Sequence, residues 1–75
     1  MIMNESYKED LIEQLREIPA AAFSQQPLDD ILADTDLLDA LWVVYQKDVE
    51  EYDCDPDYAA RDALMEVCSI DAFTI

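Results

Sequence analysis

The chain has 75 residues, 52% of them hydrophobic, and 19 Asp or Glu against four Lys or Arg, for a formal net charge of -15. It contains no His and no Gly, which removes the commonest general base and metal ligand and every glycine-rich phosphate loop. The hydrophobic share is ordinary for a globular domain and unlike an acidic disordered tail. One small folded domain spanning residues 1–75 is therefore expected.

Taken in chain order, Ser6-Tyr7-Lys8-Glu9 fits a capping box. Leu11, Ile12, Leu15 and Ile18 follow at helical spacing with Tyr7 on the same side, and Pro19 stops the helix, so the first helix spans about 5–18. Ala20–Phe23 reads as a single turn with Phe23 plugging the core, and 24–26 as loop. Pro27 opens a short second helix at its first position, running to about Ala33. Asp34-Thr35-Asp36 caps a third, over about 36–52, in which Leu37, Leu38, Leu41, Val44, Tyr45, Val49 and Tyr52 share one broad arc. Asp48 also falls inside that arc, so it is expected near a frayed end or paired with Arg61 or Lys47. Asp53–Pro56 breaks the helix. Asp55 is expected to cap the fourth, over about 56–69, with Pro56 at its first position. Ala59, Ala60, Ala63, Leu64, Val67 and Cys68 face inward there, and the small alanines imply close helix approach. The tail 70–75 alternates apolar and polar, as a final turn or an extended strap would. The predicted fold is all-α, a small four-helix bundle-like single domain with short connecting turns.

The candidate chemistry fails residue by residue. Asp53-Cys54-Asp55-Pro56-Asp57 resembles the opening of an EF-hand loop, but its sixth and twelfth positions are Tyr58 and Leu64 where the loop needs Gly and Glu. Cys54 has no His to serve as its base, and its acidic neighbours disfavour a thiolate. An acyl carrier needs a Ser in an Asp-Ser-Leu context, and Asp36-Leu37-Leu38 lacks it. No enzyme activity, metal or cofactor is expected. The start of the chain lacks a secretory pattern, and the longest apolar run, Leu41–Tyr45, is five residues, far short of the ~18–20 that span a membrane. Cys54 and Cys68 are separated by about 20 Å of helix rise if 56–68 is helical, beyond disulfide reach. They read as reduced thiols in a cytoplasm.

What remains is the charge. Residues 1–26 carry -3, residues 58–75 carry -2, and residues 27–57 carry -10. On the first helix Glu9, Glu13 and Glu17 form an outer ridge whose like charges cost stability. The candidate partner-binding residues are Asp29, Asp30, Asp34, Asp36, Asp39, Glu50, Glu51, Asp53, Asp55 and Asp57. Solubility asks for a net charge of only about 2–8 in a small domain. The surplus points to a strongly basic partner surface; nucleic acid itself and anionic membranes are disfavoured. Trp42, Val43, Tyr58 and Met65 are candidate apolar anchors, because exposed aromatic and Met residues favour interfaces.

In its small size, lack of Gly, acidity and helix content the whole chain resembles the phage-encoded nucleic-acid-mimic inhibitors, the antirestriction and acidic anti-CRISPR proteins. The resemblance implies a protein of the bacterial host cytoplasm that covers the basic nucleic-acid-binding surface of a defence protein or complex, carboxylates standing in for phosphates. The alternative readings are an acidic adaptor or antitoxin-like module that binds a basic protein away from its nucleic-acid site, and a subunit of a homo-oligomer.

Overall fold

Every element of the computed structural model, which describes residues 4–74, is helical or irregular; it has no strand among those residues. Helix α1 runs Glu5–Glu17. Its cap is Asn4, whose Oδ1 accepts from the Ser6 backbone N–H at 3.0 Å and from the Ser6 hydroxyl at 2.8 Å. The capping-box expectation placed this role on Ser6. Asn caps as well as Ser does, and from position 4 its short side chain reaches the second helical amide, which leaves Ser6 inside the helix as a donor. The Asn4 backbone N–H in turn donates to Gln46 Oε1 at 3.0 Å, tying the start of α1 to the middle of the chain. At the other end Ile18 is extended (φ -71°, ψ 135°), as the residue before a proline prefers to be.

A 3-10 turn at Ala20–Phe23 buries Phe23 in the core, as its sequence suggests. Helix α2 is Leu28–Ala33, with Pro27 at the cap itself. Asp34 ends α2 and also starts α3, Thr35–Glu50, accepting from the Leu37 backbone N–H at 3.2 Å. Helix α3 is central: it packs against α1, α2 and the last α-helix, α4 (Pro56–Ala63), while α1 also packs against α4. Leu38, Leu41 and Tyr45 fill its inner face, and Leu11, Leu15, Ile18 and Ile31 meet them. Tyr7 contacts the Tyr45 ring edge-on, with centroids 6.5 Å apart.

Tyr52 departs from the predicted arc. α3 stops at Glu50, and Tyr52 lies 63% exposed with the Lys47 Nζ 5.9 Å from its ring centroid. The chain reverses here through Asp53, which takes a left-handed conformation at φ 54°. Asp tolerates that region better than most residues do, and with no Gly in the chain an acid takes the turn.

Helix α4 covers Pro56–Ala63, with Pro56 in its first turn. Asp55 occupies the cap position, but its side chain makes no capping bond, contrary to expectation. Ala59, Ala60 and Ala63 are wholly buried and allow the close approach their size predicts. The fourth helix is not α-helical to 69: Leu64–Cys68 forms a wider π turn, closed by Ser69 at φ 56°. The Ser69 and Ile70 backbone N–H groups both donate to the Leu64 carbonyl, the latter at 3.1 Å. The tail then runs as a strap. Ile70 and Ala72 are buried, and Asp71 and Phe73 face out. Arg61 holds the strap in place, its Nη1 donating to the Ala72 carbonyl and its Nε to Asp57 Oδ1 at 3.1 Å. No helix among the described residues is long and apolar enough to cross a membrane.

Candidate functional site

All ten candidate carboxylates are exposed. They fall into two groups. Asp29 and Asp30 on α2, Asp34 at the junction, and Asp36 and Asp39 on the first turns of α3 make one group. Glu50, Glu51, Asp53, Asp55 and Asp57, around the turn from α3 to α4, make the other. At 100° per residue Asp36, Asp39, Val43 and Glu50 share one face of α3, and about 21 Å of helix rise separates Asp36 from Glu50. The outer face of α3 thus links the two groups along one line.

The cations do not neutralise this surface. Among the described residues the one ion pair is Arg61–Asp57, and Arg61 also holds the tail. The Lys8 Nζ lies 5.4 Å from the Trp42 ring centroid and Lys47 covers a face of Tyr52. Both are cation–π geometries. Three of the four cations are therefore engaged with rings or with the tail strap, and nine of the ten candidate carboxylates have no ion-pair partner. Of those nine, Asp34 accepts a hydrogen bond as the α3 cap, and Glu50 accepts from the Tyr7 hydroxyl.

The four candidate anchors divide. Val43, Tyr58 and Met65 are exposed. Trp42 is only half-buried, packed against the core under Lys8, with its Nε1–H buried and without an acceptor, so it is not a free anchor. Phe73, in the tail and outside the candidate anchors, is 42% exposed and lies against Tyr58, ring centroids 5.3 Å apart. The alternation of the strap carried that signal: with Ile70 and Ala72 in, Phe73 must face out.

Asp48 corrects its expectation most sharply. It is neither frayed nor paired with Arg61 or Lys47. It is 6% exposed, and its Oδ2 is buried without a donor. The group facing it is another carboxyl, Asp62 of α4, with Glu66 beyond. Two ionised carboxylates have no hydrogen to share, so the contact becomes a hydrogen bond only when one carries a proton. Burial first, then the Asp62 contact and the Glu66 charge, push Asp48 up to about 7, against a small opposing pull from Lys47. No group of three metal-ligating side chains among the described residues is placed to hold an ion in compensation. The backbone of the same residue anchors the acidic turn, because the Asp48 carbonyl accepts from the Cys54 N–H at 3.0 Å.

Two open clefts flank the 3-10 turn. One of about 410 Å³ lies between Ser24–Gln26 and Cys68–Asp71, and one of about 350 Å³ runs from Arg16 to Phe23 and Leu28. The carboxylate that lines the first, Asp71, accepts from the Phe73 backbone N–H and the Thr74 hydroxyl. Burial pushes the Cys68 thiol up; burial and the surrounding carboxylates, Asp48 and Asp62 foremost, push up Cys54. Both cysteines are free and favour the unreactive thiol form. Comparison of the chain with family models, curated proteins and solved structures finds no match.

Proposed function

We propose that this protein is a small acidic inhibitor that docks on the basic nucleic-acid-binding surface of another protein, a bacterial defence complex of the kind its acidic phage-borne analogues block. It acts by competition and carries out no chemistry. The observation that carries this reading is a carboxylate surface left almost uncompensated: ten exposed acids on residues 29–57, of which only Asp57 has an ion-pair partner among the described residues. Such a surface attracts a partner whose own ligand is a polyanion, and repels nucleic acid and anionic lipid. The free thiols fit a reducing cytoplasm.

The test begins with a pull-down from bacterial lysate at low and high salt. Competition against DNA or RNA for the captured protein follows. Nucleic acid should displace the inhibitor, and affinity should fall steeply with salt. Single reversals should be mild, since an exposed pair contributes only ~0.2–1 kcal/mol. The combined Asp36→Lys, Asp39→Lys and Glu50→Lys change should weaken binding at least tenfold, while Glu66→Lys, outside the two groups, should matter less. A complex that survives 0.5 M salt and ignores the triple reversal would sink mimicry. That result would favour the second reading, an adaptor or homo-oligomer held by the exposed Val43, Tyr58 and Met65, in which Ala substitutions at those positions dominate.

A further inference from the structure

The turn that leaves α3 carries rings among its charges. Between Glu50 and Tyr58 the order is Glu50, Glu51, Tyr52, Asp53, Cys54, Asp55, Pro56, Asp57, Tyr58. The five acids are all exposed, as are both tyrosines, and the stretch holds no basic residue. Phe73 is added from the far end of the chain. Arg61 fixes the Ala72 carbonyl, Ala72 is wholly buried, and the Phe73 N–H donates to Asp71 Oδ1 at 3.0 Å. The Phe73 ring is thereby held against Tyr58 at 5.3 Å and 51°. Neither ring belongs to the core, whereas their chain neighbours Ala59 and Ala72 do. One face of Tyr52 is covered by Lys47, so Tyr58 and Phe73, 51% and 42% exposed, are the rings open to a partner.

We propose that this face, the Glu50–Tyr58 turn with Phe73, docks into a groove built for single-stranded nucleic acid, one that interleaves aromatic side chains with Lys and Arg. The proposal rests on the docking function above and names the class of groove. A duplex presents phosphates with its bases stacked inside, so a duplex-reading surface supplies cations and no partner for an exposed ring. A single-strand groove supplies both, cations for the backbone and aromatic platforms for the bases. The carboxylates match either groove in charge. The two preorganised rings beside them match only the second.

The test uses three synthetic peptides of equal charge, Lys-Trp-Lys-Trp-Lys, Lys-Leu-Lys-Leu-Lys and Lys-Ala-Lys-Ala-Lys, titrated into the whole protein at low salt and followed by amide chemical shifts. The Trp peptide should bind about fivefold or more tighter than the Ala peptide, with shifts centred on residues 50–58 and 73. The Tyr58→Ala/Phe73→Ala variant should lose that preference and keep its affinity for the Ala peptide. Circular dichroism checks its fold, and Tyr58→Leu, which keeps the bulk and removes the ring, should lose part of the preference. Equal binding of the Trp and Ala peptides, or a preference that survives the double variant, overturns the proposal and leaves the docking function standing. A Leu peptide as tight as the Trp peptide also overturns it, in favour of an apolar socket without stacking. No binding of any of the three at low salt fails the docking function and this proposal together.

Discussion

Asp48 sits where a hydrophobic residue would pack and faces a carboxyl where a cation would serve it. An Asp in the unfolded chain titrates near its ordinary value, about 3.9, and in the folded chain this one is raised to about 7. The folded state therefore keeps a proton that the unfolded state has already released. The stabilisation is complete below the unfolded value and is lost as pH rises toward and through about 7. With no His in the chain, no other side chain ordinarily titrates between pH 5 and 7, so the proton belongs to one site. Thermal melts should show a higher midpoint at pH 5.5 than at pH 8. Asp48→Asn should raise the pH 8 value and flatten the profile, an effect of a few kcal/mol at most. A flat wild-type profile, or an Asn variant weaker than wild type at pH 8, contradicts the pairing with Asp62. Sequence shows the conflict at this residue, a charge inside an apolar arc. It hides the partner, because Asp62 is reached only by folding α4 back on α3.

The elements divide in the same way between what local chemistry writes and what packing decides. Pro19, Pro27 and Pro56 mark their boundaries in the sequence because the ring acts on its immediate neighbours, and the apolar spacing of α1 and α3 places their buried faces. The cap at Asn4, the early end of α3 at Glu50 and the π turn at Leu64–Cys68 are not legible. Nothing in Leu-Met-Glu-Val-Cys distinguishes a wide turn from an ordinary one; it is closed by the Ser69 and Ile70 amides on the Leu64 carbonyl, just ahead of the buried Ile70 and Ala72. The ten carboxylates could be placed outside from sequence, whereas Phe73 beside Tyr58 depends on Arg61, eleven residues before the carbonyl it holds. Arg61→Ala should release that strap. We expect a loss of about 1–3 kcal/mol in urea unfolding, the usual cost of removing a charged donor from a part-buried acceptor. Amide exchange at Phe73 and Thr74 should quicken more than that at Leu11 or Leu41. Uniform quickening would mean the strap belongs to the global unfolding unit.

At the scale of the whole molecule, -15 charges lie on a body of 32 × 24 × 18 Å. Most of them are therefore within one or two Debye lengths of each other at 0.1 M salt, where that length is about 10 Å. Their mutual repulsion opposes the compact state, and screening relieves it. The melting midpoint should rise steadily from 10 to 300 mM NaCl; a flat or falling series would mean that the carboxylates are compensated locally. The same field would give the proposed docking surface its reach, so stability and partner affinity should respond to salt in opposite directions, the domain firmer and the complex weaker.

The scarcity of cations also decides how the protein is cut. A protease that cleaves after Lys or Arg finds four positions here, Lys8, Arg16, Lys47 and Arg61, and every one lies within a helix. The exposed loops and the acidic turn, where nicking normally concentrates, offer such an enzyme nothing. Trypsin must wait for a helix to open, so the rate of digestion counts the opened population rather than the accessibility of a loop. Digestion should slow as salt is raised to 300 mM, in step with the melts. A protease that accepts acidic residues should instead find the Glu50–Asp57 turn without waiting. The same charge imbalance that underlies the proposed docking should thus leave the folded chain closed to one class of degrading enzyme and open to another.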